Sequence, residues 1–209
     1  MHHRTTLRTR LLGAVVALAL GGSLVACSGD DSDSTDAAQL STTEHNDADV
    51  TFASDMIRHH AQALAMVDLT LERPLTPQVQ TLAEDIRDAQ APEIEAMADW
   101  LTSWGEEVPA TMRDHASSGH DTGEDSQDMP HETMPGMMSA EDMEALESAT
   151  DDEFQDMWLE MMIEHHEGAV EMAEAEQEDG RFEAAVELAG QIIEAQNAEI
   201  ATMNDLLGS

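Results

Sequence analysis

The chain has 209 residues, of which 45 are acidic and 8 are basic, and its formal net charge at pH 7 is −37. A charge of this size repels nucleic acid and anionic lipid head groups and attracts cations, so we expect no nucleic-acid partner. The single cysteine excludes an intramolecular disulfide and a cysteine-based metal site. The length fits one domain with appendages.

The N-terminal residues 1–26 have the features of a lipoprotein signal peptide. Three arginines in the first ten residues precede an apolar run from Leu11 to Leu20, which is too short for a membrane-spanning helix of roughly 20 residues. The next segment ends in Leu-Val-Ala-Cys at Cys27 and resembles a bacterial lipobox, whose cysteine carries the lipid. We therefore expect an exported lipoprotein on the outer face of the cytoplasmic membrane. The alternative is an ordinary signal peptide followed by a chance cysteine.

The next stretch, residues 27–46, predicts a disordered linker, because it is rich in Ser, Asp and Thr and cannot bury enough apolar surface to fold. Residues 47–104 predict a first helical hairpin. Apolar residues recur there in steps of three and four, which indicates a helix ending near Glu72. Thr76 and Pro77 supply an N-cap and a first-turn proline for a second helix that ends near Trp104. Pro92 predicts a kink in that helix.

Residues 105–140 interrupt the helical pattern and predict a long acidic loop rich in Met and His. Residues 141–209 predict the second hairpin, with a short leading helix over 139–149. Thr150 and Glu153 have the spacing of a capping box for the third main helix, which is predicted to end near Glu178. The fourth helix is predicted from about Phe182 to Leu207.

The two hairpins are copies of one unit. Met-Ile-x-His-His-x-x-Ala-x-x-Met begins at Met56 and again at Met162, and Gln-x-x-Glu-Ile-x-x-Met begins at Gln90 and again at Gln196. Both repeats have an offset of 106 residues, without a gap. Two hairpins with matching apolar faces cannot bury those faces alone, so the sequence predicts an all-α four-helix bundle with a pseudo-two-fold relation.

Each copy carries a pair of adjacent histidines on the apolar face. Burying a neutral imidazole without a partner costs on the order of 1–3 kcal/mol, so the four rings need hydrogen-bond partners or a metal. The candidate hydrogen-bond partners are Glu93, Glu199, Gln90 and Gln196. Methionine one turn before the histidines and carboxylate on the next helix would let each hairpin present His, Met and carboxylate to one spot.

Imidazole and thioether together favour copper, especially Cu(I). A ferritin-type di-iron centre would need Glu three residues before histidine on two helices, and Met or Ile stands there instead. The candidate core ligands are His59, His60, His165, His166, Met56, Met162, Glu93, Glu199, Met97 and Met203.

The acidic loop offers a second candidate site. Its methionines, with 112 and 143 at the two ends, are expected to have no core to fill, and the tract resembles the flexible Met/His segments of exported copper-handling proteins. The alternative is low-complexity drift. The candidate loop ligands are His115, His120, His131, Met129, Met134, Met137 and Met138.

The two repeated motifs resemble a bacterial family catalogued as a domain of unknown function, number 305, over about residues 48–207. The resemblance implies a ferritin-like fold outside the cytoplasmic membrane. It also implies copper binding, because the family includes CopM-type periplasmic copper-binding proteins. The ligands that it implies here are His59, His60, His165 and His166, with Met56 and Met162 as soft helpers.

The sequence is compatible with three functions. The leading one is a lipid-anchored metal-binding protein that sequesters copper or hands it over. The second is an oxidoreductase with a metal in the bundle core, which would oxidise Cu(I) or Fe(II). The third is a structural or partner-binding helical module without a metal. Hydrolytic chemistry has no support, because no nucleophile stands with a base.

Overall fold

The computed structural model describes residues 40–111 and 134–208, and these ranges are helical apart from connections and one isolated β-bridge. The helices are α1 (Asp47–Asp68), α2 (Pro77–Trp104), α3 (Ala140–Ser148), α4 (Asp151–Asp179) and α5 (Glu183–Leu207). α1 pairs with α2, α4 pairs with α5, and the two hairpins meet chiefly through α1 and α4. The predicted all-α bundle of two hairpins is confirmed. Within the same ranges no helix is long and apolar enough to cross a membrane.

Side chains at two helix starts satisfy the free backbone N–H groups there. Asn46 accepts from the N–H of Asp49 at 3.1 Å, and Asp49 accepts from the N–H of Asn46 at 2.6 Å. Ser139 and Asp142 form the same reciprocal box before α3. Each such cap contributes about 1 kcal/mol to helix stability. α2 begins at Pro77 after Thr76, as predicted, and continues through Pro92 to Trp104, but the Thr76 side chain makes no capping hydrogen bond.

Two sequence predictions about helix ends are wrong. Thr150 does precede α4, but its hydroxyl donates to the Glu153 carboxylate at 2.6 Å and makes no bond to the backbone N–H groups. α1 ends at Asp68 instead of near Glu72. The Thr70 hydroxyl donates to the Val67 carbonyl at 2.7 Å, and so occupies an acceptor that a longer helix would use.

Two apolar clusters fill the bundle. The Trp158 cluster comprises Ala63, Met66, Val67, Val79, Leu82, Ala83, Ile86, Met138, Leu146, Phe154, Trp158, Leu159, Met162 and Met203. The Phe52 cluster comprises Phe52, Ala53, Met56, Ile57, Met97, Leu101, Ala169, Ala173, Ala185, Ala189 and Ile192. Both clusters draw on both hairpins, so neither hairpin has a complete core by itself. The indole N–H of Trp158 on α4 donates to the Met66 carbonyl of α1 at 3.0 Å, which fixes the two hairpins to each other.

A buried carboxylate ties the start of α1 to the turn between α4 and α5. Asp49 is fully buried and accepts from the backbone N–H groups of Arg181 at 3.0 Å and Phe182 at 2.8 Å. Glu176, also buried, faces it from α4. Burial raises the pKa of Glu176 to about 9, and the Asp49 and Asp179 carboxylates add to that rise. The carboxyl group of Glu176 is therefore protonated at neutral pH.

An arginine attaches the turn between α1 and α2 to the link between α3 and α4. Arg73, in the turn after α1, donates to the carbonyls of Glu147 at 2.6 Å and Ala149 at 2.9 Å, and it contacts Asp151 at 3.1 Å. Its guanidinium also lies 4.5 Å from the centroid of the buried Phe154 ring. The α1–α2 turn is thereby attached to the link between α3 and α4.

The end of the predicted 105–140 loop belongs to the core. Met138 is buried in the Trp158 cluster, and Met143 of α3 packs against the same cluster. The expectation that these methionines have no core to fill is therefore wrong for both. The physical reason is that residues 134–138 pack against α1 and α4 before α3 begins. Such a contact leaves no periodic pattern of apolar residues in the sequence.

Candidate metal centre

Four buried histidines lie where α1 and α4 meet. His59 and His60 are fully buried on α1, and His165 and His166 are 1 % exposed or less on α4. Adjacent positions on a helix differ by about 100° in direction, so each pair points one ring across the bundle and one toward its own hairpin partner. The prediction that both rings of each pair lie on the buried apolar face of their helix is thus confirmed.

The second histidine of each pair bonds to a glutamate of its own hairpin. His60 Nε2 lies 2.7 Å from a Glu93 carboxylate oxygen, and His166 Nε2 lies 2.7 Å from the matching oxygen of Glu199. The equal distances preserve the duplication in three dimensions. Both glutamate side chains keep slight contact with solvent, at 19 % and 18 % exposure, so their charge remains hydrated on one side.

The first histidine of each pair reaches across to the other half. The rings of His59 and His165 have centroids 3.8 Å apart and planes inclined by 40°. His59 Nε2 also lies 3.0 Å from the backbone carbonyl oxygen of Pro135, in the segment before α3. A carbonyl can only accept, so this contact places the proton of His59 on Nε2 and leaves a lone pair on Nδ1.

Each of the four rings keeps one buried nitrogen without a hydrogen-bond partner in the described part of the chain. These atoms are His59 Nδ1, His60 Nδ1, His165 Nε2 and His166 Nδ1. In three of the rings the other nitrogen bonds to a carboxylate or a backbone carbonyl. Metal-binding histidines have this arrangement, because an oxygen acceptor on one nitrogen orients the ring and makes the other nitrogen a better ligand. The donor set thus fits a metal that imidazoles bind.

The two rings that meet stay neutral. Burial lowers the pKa of His59 to about 3, the electrostatic effect of the neighbouring His60 adds to this, and the bond to Pro135 opposes it. Burial also lowers the pKa of His165 well below 6.5, with repulsion from the other histidines adding to it. A neutral imidazole can bind a metal without first losing a proton.

The candidate methionine ligands are all buried. Met56 and Met97 lie in the Phe52 cluster, and Met162 and Met203 lie in the Trp158 cluster. The structure thus distributes them over both apolar clusters and gives each a packing role beside any contact with an ion. Gln90 and Gln196, expected as histidine partners, are buried without making those bonds.

The loop candidates divide into two groups. Met134 and Met137 are half-buried, and Met138 is buried in the segment that covers the histidines. The other four, His115, His120, His131 and Met129, lie outside the described residues, and so does Cys27.

Across residues 40–111 and 134–208, no three His, Cys, Asp or Glu side chains converge closely enough to hold an ion by themselves. The rings of His59 and His165 face each other, and each has a nitrogen without a partner in these ranges. Next to each in the chain is a histidine that bonds to a glutamate, His60 or His166. Sequence reasoning missed Gln62 and Gly168, which contact residues 134–138, and it missed Pro135 of that segment, whose carbonyl oxygen lies against His59. Gln62 and Gly168 occupy the same place in the two copies, but four other positions of the repeated motif also differ, so the sequence does not single out this one.

An all-helical bundle of two duplicated hairpins, with a histidine pair buried in each, defines the class of the protein. The family model for Domain of unknown function (DUF305) matches residues 49–207, and the chain belongs to this family. No curated protein matches the chain.

Solved structures share this fold. A DUF305 fragment from Deinococcus radiodurans is 31% identical with a TM-score of 0.64, and the match covers 78% of this chain and 97% of that one. A DUF305 protein from Streptomyces coelicolor, named as secreted, is 30% identical with a TM-score of 0.64, covering 77% and 92%. CopM in a Cu(II)-bound form is 28% identical with a TM-score of 0.59, covering 77% and 95%. CopM has also been solved with Cu(I) and with silver.

Proposed function

We propose that the protein binds a soft metal ion, with copper as the leading candidate, outside the cytoplasm, and that it sequesters this ion or hands it to a partner. The facing rings of His59 and His165 form the centre of the binding site. His60 and His166 stand beside them, and the core methionines Met56 and Met162 are the soft donors nearest to the pairs in sequence.

The observation that carries this proposal is the set of four buried imidazoles, each with a nitrogen that has no partner among the described residues. A buried polar atom without a hydrogen bond costs about 1–3 kcal/mol. Four of them at one junction, two from each copy, would be a large cost for a purely structural core. A metal ion supplies the missing partner and offsets this cost.

Copper is favoured by the chemistry of the donors and by the related structures. Imidazole and thioether are ligands that Cu(I) accepts, whereas harder ions prefer carboxylate and water. CopM, which shares the fold, has been solved with Cu(I), Cu(II) and silver. Glu93 and Glu199 bond to histidine nitrogens, so we assign them to orienting His60 and His166 first and to binding the ion second.

Attachment to the membrane through a lipid on Cys27 remains part of the proposal. It rests on the lipobox-like sequence that follows the apolar run. Incorporation of a radiolabelled fatty acid, and its loss in a Cys27→Ser variant, would test it.

A structural module without a metal is the second candidate, and one observation favours it. The bonds from His60 to Glu93 and from His166 to Glu199, both 2.7 Å, satisfy one nitrogen of each ring without any ion. This candidate predicts that changing the histidines lowers the free energy of unfolding and leaves metal uptake unchanged. An oxidoreductase would instead consume oxygen in proportion to added Cu(I) or Fe(II).

Titration with Cu(I) against a colorimetric chelator tests the proposal. The parent is the exported chain with Cys27→Ser, which removes the competing thiol. Three variants are compared with it: His59→Ala with His165→Ala, deletion of residues 112–133, and the control His45→Ala, which changes a half-exposed histidine stacked on Trp104.

We expect the double histidine variant to lose a bound equivalent of Cu(I), while the control keeps every equivalent. The deletion variant is expected to retain the same core equivalent. Unchanged uptake in the double variant would overturn the proposal, and loss of all binding on deletion would place the site in residues 112–133. Oxygen consumption in the same samples separates binding from turnover.

A further inference from the structure

A short segment covers the junction of the two histidine pairs. Residues 134–138, which we name the strap, read Met-Pro-Gly-Met-Met and lie against both α1 and α4 before α3 begins. Its Pro135 carbonyl oxygen stands 3.0 Å from His59 Nε2, on the nitrogen opposite the unpartnered Nδ1. The strap thus bonds directly to one of the two rings that face each other.

A glutamine of α1 holds the C-terminal end of the strap. The Gln62 amide donates to the Met138 carbonyl at 2.8 Å and accepts from the Met138 N–H at 2.8 Å. Both partners are buried, at 2 % and 5 % exposure. A paired amide contact of this kind fixes the position and the direction of the backbone.

A glycine of α4 admits the N-terminal end of the strap. A Cβ at Gly168 would lie 2.1 Å from the Pro135 carbonyl oxygen and 2.6 Å from the Gly136 nitrogen, closer than atoms can approach. Gly136 itself has φ +71, and a Cβ there would lie 2.5 Å from the Glu164 carbonyl oxygen. Only glycine at these two positions lets the strap reach His59.

The two holding positions are equivalent in the duplication. Gln62 and Gly168 are 106 residues apart, as are His59 and His165. In one copy the Gln62 side chain hydrogen-bonds to the strap, and in the other copy Gly168 has no side chain, which leaves room for the strap backbone. The two copies differ at this position, and the one strap contacts both of them.

We propose that the strap is a positioning element for the His59–His165 site: its Pro135 carbonyl orients the His59 ring for the ion, and Gln62 and Gly168 hold that carbonyl in place. The inference rests on the proposed function, since it assigns a role in binding the same ion. Glu93 and Glu199 orient the second histidine of each pair, and the strap supplies the corresponding oxygen for His59. It also closes the pair from solvent, so that water does not compete for the ion.

Displacing the strap without changing a ligand tests this proposal. Gly168→Ala introduces the clash with Pro135, and Gln62→Leu removes both bonds to Met138 at similar side-chain volume. The control is Gly190→Ala on α5, where the added Cβ would meet only the flexible Gln177 amide at 3.1 Å. Circular dichroism and thermal unfolding establish that each variant is folded.

The first measurement needs no metal. Diethylpyrocarbonate modifies accessible imidazoles, and peptide mapping gives the rate for the peptide that contains His59. We expect at least a tenfold faster modification in Gly168→Ala and in Gln62→Leu, and no change in Gly190→Ala. Equal rates in all four proteins would overturn the inference, because the strap would then not cover the ring.

The second measurement is the affinity for Cu(I). Loss of the oxygen that orients a metal-binding histidine lowers affinity about 10–100-fold, so we expect that drop in both strap variants at unchanged stoichiometry. Unchanged affinity together with faster modification would show that the strap is a cover without a positioning role. If the parent itself binds no Cu(I) at the histidines, the proposed function fails, and the modification rates still decide whether the strap holds His59.

Discussion

The ring of His59 lies against the ring of His165, with 3.8 Å between centroids, and the two residues are the same position of the two copies. The contact therefore joins the halves of the bundle at its centre. Burial is the main cause that lowers the pKa of both rings, that of His59 to about 3. The metal-free protein keeps both rings neutral at a pH at which exposed histidines carry a proton.

The first prediction concerns acid stability of the metal-free protein. The pKa values of His59 and His165 are lowered in the folded protein, so between pH 6.5 and about 3 only the unfolded chain takes up protons at these two rings. The free energy of unfolding is therefore highest above pH 6.5 and falls as the pH is lowered toward 3. His165→Leu should reduce the slope of unfolding free energy against pH by up to about 1.4 kcal/mol per pH unit. Urea unfolding with a chelator at about pH 5 to 7 measures this. The control is His45→Leu, and equal slopes in parent and His165→Leu would contradict the prediction.

The second prediction concerns the glutamates that bond to the histidines. Glu93→Gln and Glu199→Gln keep an oxygen acceptor but remove its charge, which weakens the orientation and basicity of His60 and His166. We expect each variant to bind Cu(I) about 10–100-fold more weakly, by equal amounts because the two bonds have equal length. Chelator competition measures the affinities, with the exposed Glu95→Gln of the same helix as control. An effect in one half only would show that the halves do not share one site.

The third prediction uses two equivalent buried glutamines. Both amide atoms of Gln90 are buried without a hydrogen-bond partner in the described ranges, whereas only the amide oxygen of Gln196 is buried in this way. Gln90→Met should raise the free energy of unfolding by about 1–3 kcal/mol, because it removes two buried polar atoms at similar volume. Gln196→Met should raise it less. Chemical denaturation of the metal-free variants gives both values, and a destabilised Gln90→Met would mean that an unseen partner satisfies the amide.

The sequence predicts the bundle because its signals are local and occur twice. Periodic apolar rows define α1 and α4, and Thr76 with Pro77 marks the start of α2. The 106-residue offset then requires two like hairpins to share a core. The histidine pairs follow from the same rows, and their burial is confirmed.

The strap could not be predicted in the same way. Residues 134–138 have no period, and their place depends on contacts with residues more than 20 positions away in either direction. The sequence therefore predicts Met138 to be a loop residue, whereas in the structure it is buried in the core. The contact of His59 with Pro135 likewise joins positions 76 residues apart. The difference between Gln62 and Gly168 does not mark the strap either, because other positions of the repeated motif differ as well.

The fourth prediction concerns alkaline stability. Glu176 has a pKa raised to about 9 by burial and by Asp49 of α1 and Asp179 of α4, so the folded protein holds a proton that the unfolded chain releases above about 4.5. The contribution of Glu176 to the free energy of unfolding is complete below about pH 4.5 and is lost as the pH rises to 9.

Glu176→Gln removes this dependence, because the amide is neutral at every pH and fills the same volume. We expect the variant to match the parent near pH 5 and to be more stable near pH 9, by urea unfolding at about one-unit steps. Glu178→Gln on the exposed side of α4 is the control. Parallel curves for Glu176→Gln and the parent would show that Glu176 is charged in the folded protein.

The fifth prediction concerns Arg73, which donates to the carbonyls of Glu147 and Ala149 at 2.6 and 2.9 Å. Arg73→Ala leaves both carbonyls without this charged donor, and a hydrogen bond to a charged group contributes about 1.5–3 kcal/mol. We expect unfolding free energy to fall by about 2–3 kcal/mol, because the α1–α2 turn loses its attachment to the α3–α4 link. Arg87→Ala is the control: Arg87 pairs with Asp68 at 3.1 Å on the surface, and such a pair contributes about 0–1 kcal/mol. Urea denaturation of both variants measures the difference, and equal losses would mean that Arg73 acts only as a surface charge.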